Sequence, residues 1–196
     1  YKALRYQKIL CKNLIENGLK NLVVLGTCFE YGRKNGKLDE KTLPKPITKY
    51  GNAKIKLLKY LQKLKKRHNY NLSWLRLFYM YGYNSKRDTL YNLIKKFEKN
   101  KILELSISGD LKRDYLDIRQ ISRFIKLIAL KKKDIGVVNI CSGRSISLKK
   151  LTRKLIKSKK KFFKIKFIKS KKNYYEANNF WGCKKKFSKV LNSLNF

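Results

Sequence analysis

The chain has few of the residues that build metal sites, disulfide bonds and histidine-based catalytic sites. Its 196 residues include one histidine and four cysteines, and the cysteines form no C-x-x-C pair (Cys11, Cys28, Cys141 and Cys183). Scattered cysteines are typical of reduced, structural thiols in a cytosolic protein. His68 follows the basic run 65–67 at a predicted helix end, where a solvated side chain is the ordinary outcome. The sequence therefore predicts no metal site, no Ser-His-Asp triad and a cytoplasmic protein.

Long hydrophobic runs are also absent. No apolar segment approaches the roughly 20 residues that span a bilayer, and no charged-then-apolar signal peptide opens the chain. Hydrophobic residues nevertheless make up 43% of the sequence, which is enough for a folded core and argues against global disorder. We therefore predict a folded protein without a membrane partner.

Acidic residues are scarce, because 12 Asp and Glu stand against 51 Lys and Arg, which gives a formal net charge of +39. One interpretation is a polyanionic partner such as RNA or DNA. The other is compositional drift, because Lys, Asn, Ile, Tyr and Phe share A/T-rich codons and lysines occur in nearly every segment. We favour drift, and we expect only non-specific, salt-sensitive binding to nucleic acid.

Short apolar runs alternate with amphipathic segments along the chain. The apolar runs predict strands near residues 21–26, 72–79, 102–107, 137–140 and 162–168. The amphipathic segments predict a helix at the start of the chain and helices near 48–67, 87–99, 119–130 and 147–158. Residues 32–46 and 169–181 are predicted to be loops, and a short helix is expected after them. Such alternation predicts an α/β fold with a mainly parallel sheet.

Tyr50 and Lys54 are four residues apart in the predicted helix 48–67, so their side chains share one face. A free tyrosine has a pKa of about 10, and a nearby cation stabilises the phenolate and lowers that value. We therefore expect Lys54 to move the pKa of Tyr50 toward neutrality, where the phenol can exchange a proton with an alcohol or a carbonyl. Thr27, at the end of an apolar run, offers a hydroxyl to orient the same oxygen.

Five segments, taken in order, resemble one family. They are the Gly-Thr-Cys-Phe-Glu-Tyr-Gly run 26–32, the Tyr-x-x-x-Lys segment 46–54, the Arg-Leu-Phe-Tyr-Met-Tyr-Gly run 76–82, the Arg-Asp segment 108–115 and the Asn-x-x-Ser-Gly turn 139–143. Together they resemble the extended short-chain dehydrogenases, specifically the NAD-dependent epimerase/dehydratase family that acts on nucleotide sugars. The resemblance covers nearly the whole chain. It implies a Rossmann-like fold, NAD or NADP as the cofactor and a nucleotide-sugar substrate.

The resemblance also implies roles for individual residues. Tyr50 and Lys54 become the catalytic pair, with Lys54 also holding the nicotinamide ribose. Thr27 becomes the catalytic hydroxyl that contacts the substrate. Phe78 lies on the strand that passes under the nicotinamide, so Tyr50, Lys54 and Phe78 are the expected cofactor contacts.

On the substrate side, the resemblance implies contacts by Thr27, Tyr79 and Arg113. Arg113 takes the position of an arginine that binds the substrate pyrophosphate, and a guanidinium suits this role because it binds phosphate oxygens bidentately. An ordinary surface salt bridge to Asp110 or Asp117 is the alternative for Arg113. Tyr79 stands where many family members have an asparagine.

Two features refine the expected activity. Cys28 and Phe29 occupy the positions of an Asp-Glu pair found in sugar 4,6-dehydratases, which argues for a reductase or an epimerase. The run 26–32 and the late segment 175–182 look most like the sugar 4-ketoreductases of deoxysugar synthesis. We therefore expect NAD(P)-dependent reduction or epimerisation of a nucleotide-activated ketosugar, in deoxysugar or surface-polysaccharide biosynthesis.

The family's Gly-x-x-Gly-x-x-Gly loop, which delivers the cofactor pyrophosphate to a helix N-terminus, does not occur in the chain. We therefore expect an N-terminally truncated member whose α/β fold is a parallel Rossmann-like sheet lacking its first strands. Residues 1–82 would be the C-terminal part of the dinucleotide-binding domain, and 83–196 mainly a small α/β substrate-binding region. A basic nucleic-acid-binding module and a catalytically inactive fragment stay open as alternatives, and homodimerisation stays open in every case.

Overall fold

The computed structural model describes residues 2–82, 102–106, 111–158, 164–168 and 177–193. The helices are α1 (Lys2–Glu16), α2 (Lys49–Lys65), α3 (Ile118–Lys131), α4 (Leu148–Ser158) and α5 (Lys185–Ser193). The strands are β1 (Asn21–Thr27), β2 (Gly36–Leu38), β3 (Asn71–Leu77), β4 (Tyr79–Tyr81), β5 (Ile102–Ser106), β6 (Lys112–Arg113), β7 (Tyr115–Asp117), β8 (Gly136–Ile140), β9 (Ile146–Ser147), β10 (Lys164–Ile168) and β11 (Phe180–Gly182). The predicted helix 87–99 and the motif positions 108–110 and 175–176 lie outside the described residues.

The central sheet contains three parallel strands in the order β1-β3-β8. Thr27 pairs with Leu77, and Leu77 pairs with Ile140, so the three strands end at the same level. Helix α2 lies between β1 and β3 in the chain, and α3 precedes β8, as the crossovers of parallel strands require. The carboxyl ends of the strands therefore form one edge, where α/β sheets place their ligand sites. The predicted α/β fold with a parallel sheet is confirmed.

Helices cover both faces of this sheet, and β3 shows how the sequence achieves it. Trp74 and Leu75 point to opposite faces because successive strand residues alternate, and both side chains are fully buried. Trp74 belongs to a core cluster with Leu58 of α2 and residues of α1. Leu75 belongs to a second cluster with Phe124 of α3 and Phe187 of α5. The two apolar layers hold β3 at the centre of the fold.

Side-chain caps fix the starts of two helices near the carboxyl edge. Thr48 Oγ1 accepts a hydrogen bond from the Gly51 N–H (3.0 Å) at the start of α2. Asp117 Oδ1 accepts one from the Arg119 N–H (2.8 Å) at the start of α3. Each cap satisfies a main-chain donor that the helix itself leaves unpaired, so the first turn of each helix has a defined position.

Within the part of the chain that the structure describes, four two-stranded pairings accompany the central sheet. The pairs β5–β10, β2–β11 and β4–β7 are parallel, and β6–β9 is antiparallel. Strand β2 lies inside the predicted loop 32–46 and β11 overlaps the end of the predicted loop 169–181, so both loop predictions are wrong at these positions. Each of these strands has three residues, too few for an alternating pattern, and forms by pairing with a distant segment. The boundary at residue 82 stays a prediction.

The outer edge of β8 is covered by charged side chains. The Lys186 ammonium donates to the Val137 carbonyl (2.6 Å), and the Glu40 carboxylate accepts from the Asn139 N–H (2.8 Å). These contacts occupy main-chain groups that an added strand would need. At the other side of the sheet, β1 pairs only with β3 among the described residues.

Two general properties follow from the described ranges alone. None of their helices has both the length and the apolar character to cross a bilayer. They also hold no group of three or more His, Cys, Asp and Glu side chains placed to bind a metal ion.

Candidate active site

Thr27 ends β1 and begins a 3₁₀ turn, Cys28–Tyr31, at the carboxyl edge of the sheet. Its Oγ1 accepts a hydrogen bond from the Phe29 N–H (3.3 Å), and its own N–H donates to Glu30 Oε1 (2.9 Å). This reciprocal arrangement is a capping box. It holds the Thr27 main chain and side chain in one orientation, with only 6% of the residue exposed.

Tyr50 lies in the first turn of α2, next to Thr27. The Thr27 side chain lies close enough to the Tyr50 phenol to oppose the rise in its pKa, and Tyr50 is 54% exposed, so its ring is open to a ligand. The absence of a side chain at Gly51 lets α2 pack against the 3₁₀ turn, because a Cβ at this position would lie 2.6 Å from the Phe29 carbonyl oxygen. Lys54, one turn further along α2, places Nζ 5.9 Å from the Tyr50 ring centroid. The structure therefore brings the three predicted catalytic residues together.

The electrostatics of the pair differ from the sequence-based expectation. Burial raises the pKa of Tyr50, the contact with Thr27 opposes that shift, and the negative charge of Glu30 adds to it. Burial also lowers the pKa of Lys54, with Glu30 opposing. The prediction that Lys54 lowers the pKa of Tyr50 toward neutrality is therefore wrong for this structure, because burial has the largest effect and Lys54 is not among the groups that shift this pKa. Tyr50 is a protonated phenol at neutral pH, which suits a proton donor.

A buried polar network beneath these hydroxyls was not predicted from the sequence. Glu30 and Arg76 form a salt bridge (2.7 Å) in which both side chains are almost fully buried. Arg76 Nη1 also donates to the Tyr31 hydroxyl (3.0 Å), which donates to Asn139 Oδ1 (2.7 Å). The signal available in the sequence is Arg76 itself, since a cation in the middle of an apolar strand needs a buried partner.

Arg113 lies at the other end of the candidate site. It is 2% exposed, so it does not lie on the surface as the salt-bridge alternative required, and Asp110, one of the two proposed partners, lies outside the described residues. Its Nη1 donates to the carbonyls of Lys112 (2.9 Å) and Asn178 (3.1 Å). The guanidinium carbon lies 4.9 Å from the Phe180 ring centroid and 5.7 Å from that of Tyr79. These contacts hold the cation in a fixed orientation.

Asp114 anchors the Arg113 segment to two others. Its fully buried carboxylate accepts hydrogen bonds from the N–H and hydroxyl of Ser142, both at 2.7 Å. It also accepts from the N–H groups of Gly143 (3.0 Å) and Gly182 (3.2 Å). Burial raises the pKa of Asp114 although these donors oppose the shift. One side chain thus joins β6, the turn after β8 and β11.

A row of aromatic rings connects Tyr50 with Arg113. The Phe29 ring lies 6.3 Å from the rings of both Tyr50 and Tyr79, and Tyr79 lies 6.2 Å from Phe180. Tyr79, a predicted substrate contact, therefore lies between the catalytic hydroxyls and the guanidinium. Phe78, a predicted cofactor contact, is only 3% exposed. Its side chain presents almost no surface to a ligand, so its cofactor role stays a prediction.

Comparison with known proteins gives one family. A sequence profile of the NAD dependent epimerase/dehydratase family matches residues 1–141. The chain is 29% identical over 175 residues to a dTDP-6-deoxy-L-talose 4-dehydrogenase (NAD(+)) of Aggregatibacter actinomycetemcomitans, covering 88% of this chain and 64% of that protein. It is 31% identical over 148 residues to a dTDP-4-dehydro-6-deoxyglucose reductase of Escherichia coli, covering 71% and 46%. The chain thus spans less than two thirds of the length of these relatives.

Solved structures agree on the fold. A UDP-glucuronic acid 4-epimerase from Bacillus cereus, in complex with UDP-glucuronic acid and NAD, superimposes with a TM-score of 0.79 at 25% identity, covering 98% of this chain and 61% of that one. An NAD-dependent NDP-hexosamine 5,6-dehydratase of tunicamycin biosynthesis gives a TM-score of 0.80 at 19% identity, covering 98% and 62%. At the lower identity the likeness shows the fold alone.

Proposed function

The chain belongs to the NAD dependent epimerase/dehydratase family, and from this premise we propose that its protein reduces or epimerises a nucleotide-activated ketosugar with NAD or NADP. The observation that carries the proposal is the convergence of Thr27, Tyr50 and Lys54 at the carboxyl edge of the sheet. The two relatives described above have names that concern position 4 of a dTDP-linked deoxysugar. We therefore place the reacting carbon at C4 of the sugar.

Tyr50 acts as the proton donor to the C4 keto oxygen in reduction, and as the acceptor in the reverse direction. Its raised pKa keeps the phenol protonated at neutral pH, which is the form needed for donation. Thr27 orients the same oxygen, because its side chain lies close enough to the Tyr50 phenol to affect its pKa. A proton donor and a second hydroxyl on one oxygen stabilise the charge that develops there.

The residues fit the nicotinamide end of the cofactor. The Lys54 ammonium and the Tyr50 hydroxyl offer two donors for ribose hydroxyls, and the cofactor when bound supplies or accepts the hydride. The chain contains no glycine-rich pyrophosphate loop. We therefore expect this chain by itself to bind NAD(P) only weakly, and micromolar affinity by isothermal titration calorimetry would contradict this.

At the substrate end, we propose that Arg113 binds the diphosphate and that Tyr79 contacts the sugar. The guanidinium is already oriented by two carbonyls and two rings, so little conformational freedom is lost when it binds an anion. Because Arg113 is only 2% exposed, neighbouring side chains must shift to admit the diphosphate. The reaction serves deoxysugar or surface-polysaccharide synthesis in the cytoplasm.

We also propose a homodimer. Helix α1 exposes an apolar surface at Tyr6, Ile9, Leu10 and Leu14, which are 42% to 59% exposed. Contiguous exposed apolar surface is typical of an association site. Light scattering coupled to size-exclusion chromatography tests this, and a monomer across the measured concentrations would exclude it.

The test of the proposed reaction is the substitution Tyr50→Phe in the full-length protein. We expect turnover of a nucleotide 4-ketosugar, followed by NAD(P)H absorbance, to fall about 10²- to 10⁴-fold, with binding of the nucleotide nearly intact. Tyr60→Phe, in the same helix, is the matched control and should keep its turnover. Unchanged turnover in Tyr50→Phe would refute the mechanism.

A further inference from the structure

The Glu30 carboxylate is fully buried and contacts the main chain of Thr27, one of the three residues proposed for catalysis. Oε1 accepts from the Thr27 N–H (2.9 Å) and from Trp74 Nε1 (3.0 Å), and Oε2 accepts from Arg76 Nε (2.7 Å) and from Trp74 Nε1 (3.2 Å). A carboxylate has about four acceptor sites, so its hydrogen-bonding capacity is used by three neighbours. One of those neighbours is the main chain of Thr27.

The main chain of β1 passes close to the Glu30 carboxylate. A Cβ added at Gly26 would lie 2.2 Å from Trp74 Nε1 and 2.5 Å from Glu30 Oε1, so this glycine is needed where the Trp74–Glu30 contact passes under β1. Trp74 and Arg76 both lie on β3, the central strand. Glu30 therefore links β3, through Trp74 and Arg76, to the main chain of Thr27 at the end of β1.

A purely stabilising role is a weak explanation for this carboxylate. Burying a carboxylate and a guanidinium removes both from water, and well-packed apolar side chains of similar volume often give equal or greater stability. An apolar pair cannot accept from the Thr27 N–H or from Trp74 Nε1, and of these two donors only the Thr27 N–H belongs to a residue of the candidate site.

We propose that Glu30 is a positioning residue, whose β3-anchored carboxylate fixes the Thr27 main chain and thereby aims the Thr27 hydroxyl at the oxygen that Tyr50 protonates. The inference rests on the proposed function for its catalytic part. Its geometric part, the dependence of Thr27 on Glu30, does not.

Two double variants of the full-length protein separate this role from a structural one. Both Glu30→Gln/Arg76→Met and Glu30→Met/Arg76→Met remove the buried charges, but only Gln keeps an acceptor for the Thr27 N–H. We expect the Gln variant to stay within about 3-fold of wild-type kcat and the Met variant to lose up to about 10²-fold, as misplacement of a reacting group does. The KM for the nucleotide sugar should stay unchanged in both.

Two results would contradict the positioning role. Equal kcat in the two double variants, or losses of kcat that follow their melting temperatures, would overturn the positioning role. Tyr31→Phe is the control within the same network. It removes the hydrogen bond that Arg76 donates to the Tyr31 hydroxyl and the one that this hydroxyl donates to Asn139, but it leaves the Glu30–Thr27 contact. It should lower the melting temperature without lowering kcat.

Amide hydrogen exchange at Thr27 provides a readout that does not depend on activity. The amide should be protected in wild type and in the Gln variant, and should exchange faster in the Met variant. Equal exchange in all three proteins would overturn the inference. A wild-type protein that turns over no nucleotide 4-ketosugar, with the expected exchange pattern, would instead contradict the proposed function alone.

Discussion

Replacing Asp114 by asparagine tests how the Arg113 segment is held. The carboxylate accepts from Ser142 through Oδ1, from its N–H and its hydroxyl, and from Gly143 and Gly182 through Oδ2. An asparagine amide keeps one acceptor oxygen and turns the other position into a donor. Either orientation therefore faces an NH₂ group toward main-chain N–H donors.

The size of the loss follows from these contacts. The less costly orientation directs the NH₂ at Ser142, because the serine hydroxyl can rotate, and it leaves one buried N–H unpaired at about 1–3 kcal/mol. The two glycine contacts change from charged to neutral, which weakens each by about 1 kcal/mol. Removing the buried charge offsets part of this loss of stability, because burial disfavours the charged carboxylate and raises the pKa of Asp114. We expect a net loss of about 3 kcal/mol in the free energy of unfolding.

Urea unfolding followed by tryptophan fluorescence measures this loss, and Trp181 reports locally because it precedes Gly182. Asp134→Asn is the matched control, since Asp134 pairs with Lys65 near the surface and such pairs contribute less than about 1 kcal/mol. If Asp114→Asn is destabilised no more than this control, the anchoring role of Asp114 is refuted.

Two further predictions concern α3 and the catalytic pair. Asp117→Ala should lose about 1 kcal/mol with the N-cap, whereas Asp117→Asn should keep the cap and lose only the stabilisation that depends on the charge of Asp117. The hydrogen bond from Arg119 lowers the pKa of Asp117 below its unfolded value. The stabilisation that this gives is complete at neutral pH and is lost as pH falls through the folded pKa. Equal urea midpoints in the two variants would contradict this prediction. For the reaction, Tyr50 must be protonated and Lys54 charged, and burial raises the pKa of Tyr50 while lowering that of Lys54. In the reductive direction kcat should therefore be level through neutral pH and fall at alkaline pH, and a fall between acidic and neutral pH in the measured pH–rate profile would contradict this.

Local sequence patterns predicted the elements that carry the site. The apolar run 21–26 and the amphipathic segment 48–67 correspond to β1 (Asn21–Thr27) and α2 (Lys49–Lys65). Both depend on residues near in sequence, through periodicity and capping. Placing Thr27 beside Tyr50 required more, namely the resemblance of five ordered segments to one family.

Features that depend on distant segments were not predictable. The pairing of β2 with β11 joins segments far apart in the chain, and neither has a periodic pattern of its own. The partner of Arg76 is Glu30, in another element. The direction of the Tyr50 pKa depends on burial, which spacing along a helix does not reveal.

The charged side chains at the outer edge of β8 make the two edges of the central sheet unequal. An incoming strand on that side would have to displace an ammonium from Val137 and a carboxylate from Asn139, and would leave both charges without their main-chain partners. Polymerisation through that margin is thereby discouraged. A new strand can pair more readily with β1 at the opposite edge. A protein engineer would therefore attach additional strands or a split reporter on that side.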